Sequence, residues 1–304
     1  MQDGAMKFFY SDSFNLDLPA GHRFPATKYG MLRQALIEGR ILKPDQLISA
    51  PMASDAELHL AHAPDYVTAI DNGTIDDKAM RRIGFPWSTH IARRARATMG
   101  GAIAAAKTAL EFGLSGQLAG GTHHAHYDFG SGYCVFNDFA VAALNLRAQK
   151  RVSRVAIIDL DVHQGDGNAS ILTPRDDVFV FSIHGAKNFP FRKCPSDLDI
   201  ELPDGIGDAA YLRALQDALP AVWAFNPDIV LYQAGVDPLV TDKLGRMALS
   251  HDGLIRRDHL VLSECKKRAI PVSMAIGGGY GDPINESVTA YANTYRVAKD
   301  LWQF

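Results

Sequence analysis

The sequence is poor in cysteine. Its 304 residues include only Cys134, Cys194 and Cys265, which are widely spaced and odd in number. Small secreted proteins held together by disulfides carry a denser and usually even set of cysteines. We therefore expect three reduced thiols and an intracellular, cytoplasmic protein.

Long apolar runs and a strong net charge are also missing. The N-terminal segment MQDGAMKFFYSDSF has neither the basic nor the apolar region of a signal peptide, and no apolar run approaches the length of a membrane span. The formal net charge is −3 and the isoelectric point about 6.4. Because nucleic acids and anionic membranes usually bind a concentrated basic face, we expect neither as a partner.

No feature of the chain marks a domain boundary. There is no linker rich in Ser, Pro or Gly, no block of like charge and no repeat. With 47% hydrophobic residues the chain can bury a large core, so we predict a single domain over residues 1–304. Met6 is a second candidate start, and residues 1–5 are interpreted as either a disordered segment or a remnant of cloning.

Apolar strands alternate with amphipathic helices along the sequence. The strand candidates are continuous apolar runs bounded by turn residues: KFFYS, GQLAG, RVAIIDL, DDVFVFSIH, PDIVLYQAG and IPVSMAIGGG. Continuous apolarity is typical of strands that are buried on both faces of a parallel sheet. The helical patterns cover Pro25 to Gly39, Ser88 to Phe112, Asn137 to Lys150, Asp208 to Phe225, Ser250 to Ala269 and Asn285 to Phe304. This alternation predicts an α/β fold, with a single-domain open, mostly parallel β-sheet and helices on both faces.

Polar side chains follow four of the predicted strands. The segments are GTHH (121–124), DVHQGDG (161–167), VDP (236–238) and GGGY (277–280). In open α/β sheets, ligands bind outside the carboxyl ends of the strands. We therefore expect these His, Asp and Tyr side chains to meet at one rim of the sheet.

Asp161 and His163 form the most specific pair in this set. Side chains at positions i and i+2 of an extended chain point to the same side, so a carboxylate and an imidazole leave the strand end together. Asp237 is a candidate third ligand, and three protein ligands with one open position are typical of catalytic zinc sites. Alone, an Asp-X-His pair more often caps a turn with a hydrogen-bonded His, so the hypothesis depends on the agreement of the four strand ends.

Taken together, these segments resemble a known family. GGTHHAHYDFGSGYCVFND, IIDLDVHQGDG, YQAGVDP and GGGY, in this order and at these separations, are similar to the zinc-dependent histone deacetylase family, which has the arginase/deacetylase fold. The similarity begins at NLDLPAGHRFPATKYGMLRQAL and covers most of the chain. The sequence looks closest to compact bacterial members grouped with the class IV branch.

The resemblance implies catalytic roles for five residues. His124 would be the general base that takes a proton from the attacking water, and His123 would hold the water or tune its charge. Asp159 and Asp166 would orient His123 and His124, respectively. Tyr280 would donate a hydrogen bond to the developing oxyanion.

The resemblance also implies the cofactors. The zinc ligands would be Asp161, His163 and Asp237, which hold one Zn²⁺ per chain, with Fe²⁺ as an alternative native metal. A structural K⁺ is a further expectation from the family.

The substrate-binding residues implied by the resemblance are Gly132, Tyr133, Phe189 and Gly278. Gly132 and Tyr133 match the position where the family lines its acyl-lysine tunnel, and Phe189 would form the opposite wall across a loop of different length. His126 matches no family role and is interpreted as a plain loop residue.

Two features are given simpler interpretations. Cys134 has no activating base once both histidines are assigned to water, so we interpret it as a small buried residue rather than a nucleophile. GGGYGD lacks the lysine and hydroxyl residue of a phosphate-binding loop and the spacing of a dinucleotide motif.

Three functions stay open at this point. The first is a zinc-dependent hydrolase that removes acyl groups from lysine side chains in proteins or peptides, or from another small acylated amine such as a polyamine. The second is an arginase-like hydrolase with two metals, although GVDP does not provide that family's third metal segment. The third is a catalytically silent module that binds acyl-lysine or metal. Many deacetylases carry an acidic residue in an early rim loop that holds the substrate backbone, and none can be placed around RRIGFPWSTH.

Overall fold

The structure, a computed structural model, describes residues 6–304. The segment of residues 1–5, interpreted above as disordered or a cloning remnant, lies outside the described residues. The architecture is an eight-stranded sheet in the order β2-β1-β3-β8-β7-β4-β5-β6. The strands are β1 (Phe8–Tyr10), β2 (Leu47–Ser49), β3 (Leu114–Gln117), β4 (Val155–Asp159), β5 (Val178–Gly185), β6 (Leu198–Leu202), β7 (Ile229–Gln233) and β8 (Val272–Ala275).

Every pair of neighbouring strands in the described sheet is parallel. The predicted α/β class with an open, parallel sheet is therefore confirmed, and six of the strands correspond to the six predicted apolar runs. Strands β3, β4, β7 and β8 are buried at every position, as continuous apolar runs require.

The prediction missed β2 and β6, which are the two edge strands. An edge strand has one neighbour and need not be buried on both faces. Strand β2 is three residues long, and β6 has the sequence LDIEL with mostly half-exposed positions, so neither has a long apolar run.

The helices lie between the strands in sequence. They are α1 (Lys28–Glu38), α2 (Asp55–Leu58), α3 (Pro64–Asn72), α4 (Asp77–Ile83), α5 (Thr89–Phe112), α6 (Asp138–Ala148), α7 (Asp166–Leu172), α8 (Asp208–Ala224), α9 (His251–Lys267) and α10 (Ile284–Trp302), with a 3₁₀ turn at Pro44–Gln46. The six predicted helices correspond to α1, α5, α6, α8, α9 and α10. The other four have at most nine residues, too few for a clear helical period.

Side-chain caps fix the starts of three long helices. The side chains of Ser88, Asn137 and Ser250 each accept a hydrogen bond from a backbone N–H in the first turn of α5, α6 and α9, respectively. These bonds satisfy N–H groups that have no partner inside the helix. They explain why the predicted helix starts agree closely with the structure.

The helices form two packed groups around the sheet. Helices α1, α10, α9 and α8 pack in succession, and α5 packs against α3 and α6, which in turn contacts α2 and α7. In the sheet, β3, β8, β7 and β4 are consecutive neighbours, so the segments that follow them meet at one rim. Within residues 6–304, no helix combines the length and apolarity needed to cross a bilayer.

Candidate active site

Asp161, His163 and Asp237 meet at the rim, where β4 and β7 end. One ligand atom from each residue lies within 4.8 Å of the others, and all three side chains are buried. His163 Nδ1 is 3.0 Å from Asp161 Oδ1 and 3.0 Å from Asp237 Oδ2. The structure thus brings together the three residues that the sequence analysis assigned to metal binding.

The second oxygen of each carboxylate is held by backbone. Asp161 Oδ2 accepts a hydrogen bond from Gly278 N at 2.6 Å, and Asp237 Oδ1 accepts one from Val162 N at 2.8 Å. The oxygens that face His163 are therefore oriented by bonds at the other end of each carboxylate. At Gly278, a Cβ would lie 2.0 Å from Asp237 Oδ2, so only glycine allows this approach.

The electrostatics of this cluster suit a cation. Burial and the nearby charge of Asp161 raise the pKa of Asp237 to about 7. Burial alone would lower the pKa of His163, but its bonds to the two carboxylates raise that pKa to about 10. Among the described residues, neither carboxylate pairs with a Lys or Arg. Two buried carboxylates and an imidazole are ligands that Zn²⁺ or Fe²⁺ accepts, so the donor set fits a divalent metal.

His123 and His124 lie beside this cluster, each with its own carboxylate. His123 Nδ1 is 2.7 Å from Asp159 Oδ2, and His124 Nδ1 is 2.6 Å from Asp166 Oδ1. The two imidazole centroids are 4.1 Å apart. The family resemblance predicted the same two pairs.

The two imidazoles differ in protonation. Burial would lower the pKa of His123, but the charges of Asp159 and Asp161 outweigh it and raise the pKa to about 9. Burial and the neighbouring His123 charge lower the pKa of His124 to about 4. At neutral pH His123 is a cation and His124 is neutral. Because Asp166 accepts the Nδ1–H of His124, Nε2 of that ring is free to accept a proton.

His126 makes a contact that the sequence analysis did not foresee. Its Nε2 is 3.2 Å from Asp166 Oδ2, and its Nδ1 is 2.7 Å from Ser170 Oγ. Burial would raise the pKa of Asp166, but the bonds to His124 and His126 hold it well below its usual value. His126 is therefore more than a plain loop residue, because it helps keep Asp166 ionised.

Tyr280 lines the cavity above the cluster. Its backbone N–H donates to Asp242 Oδ2 at 2.6 Å, and its ring packs 6.2 Å from Tyr133, centroid to centroid. Burial and the charges of Asp161 and Asp237 raise the pKa of Tyr280 well above its usual value. The phenol therefore keeps its proton at neutral pH and can act as a hydrogen-bond donor.

The remaining predicted residues line the same cavity, whose volume is about 550 Å³. Phe189 packs edge-on against His124 with centroids 4.8 Å apart. Gly132 has φ +53°, and a Cβ there would lie 2.6 Å from His124 Cδ2 and 3.2 Å from Phe189 Cε1. Gly132 and Phe189 thus lie next to each other beside His124, and Tyr133 adds a second ring to the wall.

Cys134 is buried and its thiol donates to the Gly132 carbonyl at 3.3 Å. Burial raises its pKa well above the usual value, so it is a protonated thiol. This agrees with the interpretation of Cys134 as a small buried residue and not a nucleophile.

Several supporting residues were not predicted. Asp138, at the start of α6, accepts hydrogen bonds from the backbone of Gly121 and Thr122 and so fixes the loop before His123. Lys28 is fully buried and donates to the Gly279 carbonyl at 3.1 Å. The position of Asp138 directly after a helix cap was the only available signal, and Lys28 gave none because a lysine is rarely buried.

One buried ion pair lies behind the rim. Arg257 on α9 pairs with Asp258 and donates to the carbonyl oxygens of Leu160 at 3.3 Å and Gly235 at 2.5 Å. Leu160 directly precedes the candidate ligand Asp161, and Gly235 follows β7. Arg257 therefore holds the segments that carry two candidate ligands, Asp161 and Asp237, against the same helix.

Comparison with known proteins supports the fold and identifies the family. The fold matches the crystal structure of the HDA15 HD domain with a TM-score of 0.81 and 22% identity, over 99% of this chain and 88% of that one. An uncharacterized protein of Picosynechococcus sp. is 43% identical over 96% of this chain and 98% of its own length. Histone deacetylase 2 of Arabidopsis thaliana is 29% identical over 90% of this chain and 74% of its own length.

The α/β fold and the rim of paired His and Asp residues define a protein of the deacetylase class. A family model described as the histone deacetylase domain matches residues 22–295. The chain belongs to the histone deacetylase family, as the sequence analysis predicted from four short motifs. Closeness to the class IV branch stays a prediction.

Proposed function

We propose that this protein is a zinc-dependent deacylase that hydrolyses the amide bond of acylated lysine side chains. The observation that carries the proposal is the joint placement of three features at one rim: the Asp161, His163 and Asp237 cluster, a neutral His124 and a protonated Tyr280. Amide hydrolysis needs an activated water, a proton acceptor and an oxyanion donor, and each has a candidate here.

Asp161, His163 and Asp237 would hold the zinc ion, which when bound supplies Lewis acidity and lowers the pKa of water to about 7. His124 accepts a proton at Nε2 from the attacking water and later returns it to the leaving amine. Asp166 keeps the His124 ring in the required tautomer.

His123 and Tyr280 act on developing charge. The cationic His123 offsets negative charge as the water loses its proton. The Tyr280 hydroxyl donates a hydrogen bond to the oxygen of the former carbonyl. Gly132, Tyr133 and Phe189 enclose the acyl-lysine stem, and Gly278 allows the backbone to approach the metal ligands closely.

The other assignments are proposals of the same kind. We propose one metal per chain, Zn²⁺ or Fe²⁺, because a single group of three ligands occurs in the part of the chain that the structure describes. A structural K⁺, a single domain over residues 1–304, a cytoplasmic location and the absence of nucleic-acid or membrane partners stay predictions. The arginase-like alternative requires a second metal site in each chain.

The test is a turnover screen of metal-loaded protein against peptides that carry lysine with acyl groups of several lengths, with acetylated polyamines alongside. We expect hydrolysis of at least one acyl-lysine peptide and inhibition by a hydroxamate, which can chelate the metal. Metal content per chain is measured on the same sample. No turnover of any substrate would contradict the deacylase function, and two tightly bound metals would favour the arginase-like one.

A further inference from the structure

The mouth of the active-site cavity is rich in basic residues. Four residues with cationic side chains line it, and all four are exposed: Arg81, Arg82, Lys187 and Arg246. The only carboxylate among the described residues that line the cavity is Asp161, which belongs to the metal cluster at its floor. Among the described lining residues, these four cations therefore lie at the mouth and the single carboxylate lies at the floor.

The four cations come from three separate segments. Arg81 and Arg82 lie in the last turn of α4, Lys187 follows β5, and Arg246 lies in the loop after β7. Basic residues in the last turn of a helix also complement its dipole, so the α4 pair alone would not indicate a ligand. Convergence of three segments on one opening is not explained by a helix dipole.

Little of this charge is neutralised within the described structure. Asp204 is shared, with one oxygen 3.3 Å from Arg246 and 3.9 Å from Lys187. Arg81 and Arg82 pair with no carboxylate among the described residues, and the Arg82 guanidinium lies over the Phe129 ring at 4.7 Å. The mouth therefore keeps a net positive charge of about three, since four cations face one carboxylate.

The rim also offers exposed apolar surface. Phe191 is 86% exposed and Leu244 is 44% exposed, and both line the opening. The loop that carries Lys187 and Phe191 is held in place by Lys193, whose Nζ donates to the carbonyl oxygens of Asn188 and Pro190. Charge and apolar surface are therefore presented on an ordered loop.

We propose that this mouth selects acyl-lysine residues that lie in acidic peptide segments, with Asp or Glu on either side of the modified lysine. The inference rests on the deacylase function proposed above and adds the class of substrate. Opposite charges at the rim attract an acidic segment, while the rim repels basic segments and acetylated polyamines, which carry positive charge at neutral pH. The exposed ring of Phe191 and the exposed side chain of Leu244 contact apolar parts of the same peptide segment.

The size of the preference follows from the exposure of the charges. Exposed ion pairs are individually weak, but several act together at one opening, so we expect kcat/KM for an acidic peptide to exceed that for a basic peptide about 10-fold or more at low ionic strength. At about 1 M salt the Debye length falls to about 3 Å, and the preference should shrink to about twofold.

The experiment uses three peptides of equal length around the acyl-lysine that the screen finds best, flanked on both sides by two Glu, two Gln or two Lys. Metal-loaded protein is assayed at low and high salt. The variant Arg81→Gln/Lys187→Gln/Arg246→Gln should lose the Glu preference but hydrolyse the Gln peptide within about twofold of the parent. Arg82 is left unchanged because its guanidinium packs over the Phe129 ring, and a substitution would remove that contact.

The matched control is Arg213→Gln, which removes an exposed cation in the groove between α8 and α9, away from the mouth. It should retain the full preference. The inference would be overturned if kcat/KM for the Glu peptide exceeds that for the Lys peptide by less than twofold at low salt, or if the preference persists in the triple variant. Either result would leave the deacylase function intact. If none of the three peptides is hydrolysed, the proposed function fails and this inference fails with it.

Discussion

Replacing Tyr280 with phenylalanine removes a single hydroxyl group from the proposed site. The ring should stay in place, because it is held by Tyr133 at 6.2 Å, by Phe24 at 6.3 Å and by the Lys28 ammonium, 4.9 Å from the ring centroid. Within residues 6–304, Tyr280 forms its hydrogen bonds through its backbone, donating to Asp242 and accepting from the Lys243 N–H, and the substitution leaves both intact. Any change in turnover can then be assigned to the lost donor.

The expected loss follows from the state of the phenol. Because burial and two nearby carboxylates raise its pKa, the hydroxyl is protonated throughout the neutral range and is available as the charge develops. Removing one such donor typically costs about 10²- to 10³-fold in kcat, or about 2.7 to 4 kcal/mol. Substrate affinity should change far less, because the bond strengthens only in the transition state.

Tyr66→Phe is a matched control that should lower stability but leave kcat unchanged. The Tyr66 hydroxyl is buried and donates to the Val135 carbonyl at 2.7 Å. Its removal leaves that carbonyl unpaired, which costs about 1 to 3 kcal/mol of stability and should lower the melting temperature by a few degrees. Its kcat should stay near that of the parent.

The assay measures steady-state kinetics, substrate binding and thermal unfolding for both variants and the parent. We expect Tyr280→Phe to bind an acyl-lysine peptide without turning it over, at an unchanged melting temperature. Retention of more than about a third of the parental kcat would refute the role of the hydroxyl. An equal loss of activity in both variants would show that the loss comes from general disruption of the fold.

Three further outcomes are expected. Asp237→Ala should lose the bound metal and the activity while keeping the parental circular dichroism spectrum, and full metal content in this variant would contradict its role as a ligand. His124→Ala should reduce turnover about 10²- to 10⁴-fold with metal content unchanged, since it removes only the proton acceptor; loss of the metal would instead identify His124 as a ligand. Asp138→Ala should lower both kcat and stability, the latter by about 1.5 to 3 kcal/mol, because the backbone of Gly121 and Thr122 loses a charged acceptor; a change in kcat alone would contradict this structural role.

The sequence was sufficient to predict the centre of the sheet and the residues at its rim. Strands such as β4 are buried on both faces, so they appear as continuous apolar runs, and Asp161 and His163 follow such a run directly. The edge strands β2 and β6 were not predicted, because a strand buried on only one face has no comparable continuous apolar run. Helices α2 and α7 were not predicted because they are shorter than the window over which a helical period can be recognised.

The supporting residues could not be predicted because their roles depend on partners far away in the chain. Arg257 lies 97 residues from the carbonyl of Leu160 to which it donates. Lys28 and Gly279 are 251 residues apart. A charged residue in a helix normally indicates a solvated face, and nothing local distinguishes these two from that general case. His126 is similar, since its contact with Asp166 becomes visible only when the loop is folded.

The order of the strands has a consequence for how the chain folds. Strand β8 is the last in sequence, yet it lies in the interior of the sheet between β3 and β7. Before β8 is available, the strands that precede it can form only two separate sheets, β2-β1-β3 and β7-β4-β5-β6, each with an unpaired apolar edge. Pairings over such long sequence separations form slowly, and open edges of this kind invite aggregation.

During synthesis, the sheets β2-β1-β3 and β7-β4-β5-β6 therefore cannot join until β8 has been made. Until residues 272–275 leave the ribosome, β3 and β7 each lack a neighbour, and the His123 side of the rim is not yet fixed against the Asp237 side. We expect a chain truncated before Val272 to aggregate or be degraded, and to have no partial activity. Release of the C-terminus thus sets the earliest moment at which a newly made molecule can assemble the proposed metal site.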